Sequence, residues 1–93
     1  MIYLLMNPSM PGLFKIGKTT RKTEQRVKEL NAATGVPTTF IVVYEVFVND
    51  CHDAEKYVHD RLNQYRVSSN REFFRLASSV AVDIIIEARN KFS

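Results

Sequence analysis

The chain has 93 residues, 45% hydrophobic and 25% charged, with three glycines, three prolines and a formal net charge of +3. That length suits one domain with a modest core, and the composition excludes disordered and fibrous classes. No apolar run approaches the roughly 20 residues of a membrane span, the first six residues lack the basic stretch and length of a secretory signal, and the single cysteine, Cys51, excludes a disulfide framework or cysteine-based zinc site. The expectation is a single cytoplasmic domain over residues 1–93, without a membrane segment, in which Cys51 is a small buried thiol.

In chain order, residues 2–6 read as a strand, and the Asn-Pro-Ser-Met-Pro-Gly run at 7–12 is dense in turn formers. Residues 13–17 then return as the second strand of a hairpin. Threonines between Thr19 and Thr23 offer helix N-caps, and Val27 and Leu30 stand at helical spacing in a helix over 23–33 that Gly35 and Pro37 end. The β-branched and aromatic run from Phe40 to Val48 predicts a strand, and its continuity places it centrally in the sheet. From Cys51 to Tyr65, Ala54, Tyr57, Val58, Leu62 and Tyr65 follow three- and four-residue steps, an amphipathic helix whose polar stripe carries Glu55, His59, Asn63 and Arg66. Residues 68–70 read as a loop, and the class of 71–76 stays open. Val80, Ala81, Ile84, Ile85 and Ala88 predict a closing helix from Ser78 or Ser79 to Lys91, although the triple isoleucine at 84–86 is also compatible with a strand. The order is ββαβαα, an α+β domain with a small, mostly antiparallel three-stranded sheet flanked by helices.

The charge is unevenly distributed. Lys15, Lys18, Arg21, Lys22, Arg26 and Lys28 fall within fourteen positions that hold one acid, Glu24, and Arg61, Arg66, Arg71 and Arg75 recur at four- or five-residue intervals. Such runs are more often solvated faces than nucleic-acid sites. Composition alone equally allows Tyr3 to be a packed sheet tyrosine, favours Glu55 as a helix-start carboxylate suited to the macrodipole, and ranks His59 first as a surface or supporting histidine.

Taken jointly, the residues resemble a known pattern. Ile2-Tyr3 closing one strand, Lys15-Ile16-Gly17-Lys18 closing the next, Arg26 on the following helix and Glu55 on a later one resemble the GIY-YIG nuclease superfamily. The stretches from Asn7 to Thr19 and from Asn70 to Phe74 resemble its phage-derived DNA-binding branch, also called meiotically up-regulated gene 113-like, and the likeness spans residues 2–76. Lys15 stands where the superfamily places its second-motif tyrosine, and Met1 where it places a glycine.

The resemblance implies a DNA phosphodiesterase, a hydrolase in which Tyr3 acts near the attacking water and Arg26 neutralises charge on the phosphate. It also implies one Mg²⁺ or Mn²⁺ ion held by Glu55, with Glu72 the alternative ligand. A free phenol ionises near pH 10, so a tyrosine base needs positive charge nearby, which Lys15 and Lys18 are placed to supply. Lys18, Arg21, Lys22, His59, Arg66, Asn70 and Arg71 are the expected substrate contacts, Asn70 being the nearest candidate for the superfamily's late asparagine. Tyr3 and Lys15 must then share a face of the hairpin, which a register pairing Tyr3 with Lys15 and Leu5 with Leu13 provides. The partner is DNA, and a homodimer is one route to cutting both strands. Two alternatives stand beside the nuclease: a DNA-binding module of the same fold with little or no cleavage, and an interaction domain without a nucleic-acid role.

Overall fold

Two apolar strands and a loop that cannot extend either of them start the fold. The computed structural model describes residues 1–34, 38–67 and 72–93. Strand β1 (Ile2–Met6) runs into a turn containing Gly12, whose φ of +80° is a backbone state that L side chains rarely adopt, and β2 (Leu13–Lys18) returns antiparallel. Asn7 secures the turn. Its buried side chain accepts hydrogen bonds from the Ser9 backbone (2.9 Å), the Ser9 hydroxyl (2.7 Å) and the Thr38 hydroxyl, and donates to the Thr38 carbonyl at 2.9 Å.

Helix α1 (Thr23–Thr34) follows, then β3 (Ile41–Val46), α2 (Cys51–Arg61), a 3₁₀ turn at Asn63–Tyr65, β4 (Phe73–Arg75) and α3 (Ser78–Phe92). Asp50 caps α2 by accepting from the Asp53 amide at 3.0 Å. The strand order is β3-β1-β2-β4, all antiparallel. The α+β architecture agrees with the sequence reading, but the sheet has four strands rather than three, so ββαβαα becomes ββαβαβα. The added strand is the 71–76 segment left open above; three residues are too few for alternation to declare itself.

Two expectations about placement are corrected. Strand β3 lies at an edge, not the centre, with Ile41, Val43 and neighbouring Phe47 exposed; its continuous β-branched run reflects a buried face plus an exposed apolar edge rather than burial on both sides. A bulge between Leu4 and Leu5 leaves Val43 unopposed, since Leu4 pairs with Tyr44 and Leu5 with Val42. The hairpin register also differs by two residues, with Tyr3 opposite Gly17 and Leu5 opposite Lys15. A two-residue shift preserves facing, so Tyr3 and Lys15 still share a side of the sheet. The predicted helix over 51–65 ends at Arg61 and continues as the 3₁₀ turn, while Gly35 and Pro37 lie outside the described residues.

The sheet faces divide the core. Ile2, Leu4, Ile16, Val46 and Phe74 pack with Ala54 and Val58 of α2, with Leu62 just past its end, and with Ala81, Ile85 and Ala88 of α3. Tyr3, Leu5 and Phe40 pack opposite with Val27 and Leu30 of α1 and with Phe73. Buried isoleucines on α3 resolve the triplet at 84–86 as helix: Ile84 and Ile85 face inward while Ile86 is only partly covered.

Candidate functional site

Where β2 runs beyond β4, its outer edge changes partners. The Ile16 amide donates to the Glu72 carbonyl at 3.0 Å, the last rung toward β4, and the Ile16 carbonyl is met by His59 Nε2 of α2 at 2.8 Å. His59 therefore serves the sheet edge and stacks near the Phe74 ring. The open end of the hairpin beside it forms a cavity of about 360 Å³. Tyr3 from β1, Lys18 from β2, Arg26 from α1 and Glu55 from α2 line it, with Glu72 completing the wall.

Tyr3 and Gly17 fix the floor. The tyrosine ring lies across the glycine so closely that a β-carbon at position 17 would stand 2.5 Å from the Tyr3 hydroxyl oxygen. Tyr3 is 1% exposed, yet its hydroxyl meets the Arg26 guanidinium, which donates a hydrogen bond to it. Arg26 is also held by Glu29 at 3.5 Å, and the same carboxylate pairs with Arg21 at 2.7 Å. Both tyrosine and glutamate contacts hold Arg26 more firmly protonated, the tyrosine contributing most.

The electrostatics correct one expectation. Burial pushes the Tyr3 phenol above its ordinary pKa, the Arg26 hydrogen bond pulls against that, and the carboxylates of Glu72 and Glu55 push it further up. The two lysines expected to lower it are committed elsewhere. Lys15, 5% exposed, is ion-paired with Glu72 and sits 5.5 Å above the Phe73 ring; Lys18 lies 3.6 Å from Glu55.

The remaining expected site residues are scattered. Arg21 lines the cavity, and exposed Lys22 lines an adjoining groove. Arg66 instead stacks over Phe74, 5.5 Å from its centroid, with its Nε buried. Asn70 and Arg71 lie outside the described residues. Sequence reasoning missed Thr19, Thr20 and Cys51 as cavity wall. Cys51 had a usable signal, standing four residues before Glu55 and hence on the same helical face; it is half-buried at the start of α2 rather than a core thiol.

No helix among the described residues is long and apolar enough to cross a membrane. A family model described as the T5orf172 domain matches residues 1–93, and the chain belongs to that family, whose domains are nuclease-like and DNA-binding. This corrects the resemblance drawn from the two short motifs, Arg26, Glu55 and the stretches at 7–19 and 70–74: T5orf172 is a different family from GIY-YIG, for which no model matches. The motif positions themselves give the reason, since Met1 and Lys15 replace the glycine and the tyrosine that define that pattern. No curated protein and no solved structure matches the chain.

Proposed function

We propose that this T5orf172-domain protein binds DNA and hydrolyses a phosphodiester seated in the cavity between Tyr3, Arg26 and Glu55. The observation that carries the reading is the convergence of those three side chains with Lys18 in one opening, delivered by four separate elements. Arg26 is positioned by Tyr3 and Glu29 to receive a phosphate oxygen, where a guanidinium offers paired donors against charge built up in the transition state. The Tyr3 hydroxyl, fixed by Arg26, orients a water by hydrogen bonding. Lys18 contacts phosphate once Glu55 releases it, and Lys15 acts at one remove by orienting Glu72.

A single hard divalent ion suits the donor set. Glu55 and Glu72 are the carboxylates of the cavity, and no group of three or more His, Cys, Asp or Glu side chains gathers among the described residues. Mg²⁺ and Mn²⁺ are commonly held by one or two carboxylates, the rest of their shell being water and substrate phosphate. Glu55 is the principal ligand in this reading and Glu72 the second. The ion, when bound, supplies Lewis-acid stabilisation of the phosphate and lowers the pKa of its water.

A DNA-binding module without cleavage is the second reading, favoured by one observation: the buried Tyr3 phenol has its pKa raised, which leaves it a poor base near neutrality. Incubation with plasmid, branched and single-stranded DNA, with Mg²⁺, Mn²⁺ or chelator, separates the two. The nuclease reading expects metal-dependent nicking that Arg26→Ala lowers by roughly 100- to 1,000-fold, the usual effect of losing one transition-state donor, and that Tyr3→Phe and Glu55→Ala also depress. Salt-sensitive binding without nicking establishes the module instead. With neither cleavage nor binding, both readings fail.

A further inference from the structure

Beside the cavity runs a second hollow of about 570 Å³, and the two share Thr20 and Arg21. Its wall includes Lys22 just before α1, Glu24 and Gln25 from the first turn of α1 and Glu45 from β3, and at its lip stands Phe47. Phe47 is 68% exposed, more than any other large hydrophobic side chain among the described residues. An aromatic ring left in water at the edge of a polar groove that shares a wall with the cavity of Tyr3, Arg26 and Glu55 is the arrangement of a stacking platform.

We propose that this groove takes an unpaired nucleobase next to the phosphodiester held in the cavity, stacked on Phe47, so that the substrate is single-stranded or forked DNA rather than continuous duplex. The inference rests on the DNA-binding reading above and narrows it. Charge decides what part of a nucleotide fits. Arg21, common to groove and cavity, and Lys22, next to it in the chain and on the groove wall, suit a backbone phosphate and outnumber Glu24, the carboxylate on the same stretch of wall. Glu45 would repel a phosphate, but its carboxylate accepts hydrogen bonds from the amino group of a base edge, and Gln25 can donate or accept there. A base inside a duplex has its faces covered by its neighbours and cannot reach Phe47. One that is unpaired can turn out and stack, as single-strand binders require of their bases.

The chain contains no tryptophan, so Phe47→Trp places a lone indole, excited selectively over the four tyrosines, at the proposed contact. Binding is measured in chelator, to prevent cleavage, with a single strand, a forked duplex and a fully paired duplex of the same sequence. The proposal expects the emission of the Phe47→Trp variant to be quenched by the single strand and the fork but not by the duplex. It expects Phe47→Ala to weaken binding of the single strand and fork by roughly 5- to 150-fold, the range for one base-stacking aromatic, with duplex binding unchanged. If the wild-type protein binds DNA, Phe47→Ala binds every form equally well and the introduced indole is not quenched, the inference is overturned while the DNA-binding reading stands. If the wild type binds none of the three, both fall. Sedimentation adds a separate check: a wild-type dimer that Phe47→Ala converts to monomer would make Phe47 a contact between copies and overturn the proposal.

Discussion

A β-carbon at position 17 would meet not only the Tyr3 hydroxyl but also its Cζ at 2.7 Å and Cε1 at 2.9 Å, so the glycine is required by the tyrosine and not by its own backbone. Gly17→Ala must therefore lift the ring out of its packing with Leu5 and Phe40 and away from Arg26. Over-packing of this kind costs about 1–3 kcal/mol, which urea denaturation will read as a lower midpoint. Tyr3→Phe relieves only part of that penalty, because two of the three close contacts are with ring carbons; a double-mutant cycle that shows no coupling would refute the packing argument. The tyrosine also makes a pH prediction. Its pKa is raised in the fold, so the folded chain keeps this proton to higher pH than the unfolded chain, and the resulting stability is full below the unfolded value of about 10 and lost as pH rises through the folded value. Above about pH 10 the wild type should thus lose stability more steeply than Tyr3→Phe. Glu72→Gln removes one of the carboxylates that push the phenol up, so phenolate absorbance should develop at lower pH in that variant.

At the scale of the element, the hairpin turn is held to the segment before β3 by one side chain. Asn7→Ala deprives the Ser9 amide and hydroxyl and the Thr38 carbonyl of their buried partner together, although Ser9 and Thr38 are themselves exposed and water can take its place. A loss of about 0.5–1.5 kcal/mol, the net worth of a hydrogen bond whose partners water can reach, is expected in thermal or chemical denaturation, with the α2 and α3 packing unchanged. The same loop shows what sequence can and cannot report. Prolines and Gly12 announce a turn, and the period-3.6 spacing of Ala54, Val58, Ala81 and Ile85 announces helices, because local sterics and amphipathicity are written in neighbouring residues. Register and strand order are not local. Tyr3 falls opposite Gly17 rather than Lys15 because the ring needs a residue without a side chain to lie across, a constraint visible only between strands. The edge position of β3 and the existence of β4 likewise depend on what each strand meets. Of the site, Tyr3, Arg26, Lys18 and Glu55 were legible as a set, whereas His59 and Arg66, on the same predicted stripe as Glu55, diverge to the Ile16 carbonyl and the Phe74 ring. Arg66 leaves the stripe because α2 ends at Arg61 and the chain passes through the 3₁₀ turn to a bridge with Phe74, whereas His59, still on the helix, faces the open edge of β2.

Across the whole molecule, the net charge of +3 is a poor guide to how DNA would approach, because the charges at the opening nearly cancel. Lys18, Arg21 and Arg26 face Glu55 and Glu72 around the cavity, and Lys18 is spent on Glu55 before any phosphate arrives. In this state a phosphate meets two carboxylates as well as three cations. The proposed divalent ion would tip that near-cancelled balance further toward positive charge, placing two positive charges against Glu55 and freeing Lys18 for the backbone. Affinity for an oligonucleotide should therefore rise when Ca²⁺ replaces chelator. One unit charge at about 4 Å in water is worth about 1 kcal/mol, so a change of at least about fivefold is expected for a cavity only partly exposed. Glu55→Gln should show the converse: tighter binding than wild type in chelator, since Lys18 is released and a repelling carboxylate removed, and little further gain from Ca²⁺. Wild type and Glu55→Gln responding equally to the ion would remove Glu55 as its ligand. The slope of affinity against salt supplies the independent measure, because each cation that newly meets a phosphate steepens it by about one. Glu55→Gln should steepen the slope in chelator through Lys18, and Lys22→Ala should flatten it by about one, as Lys22 sits exposed where the backbone would pass.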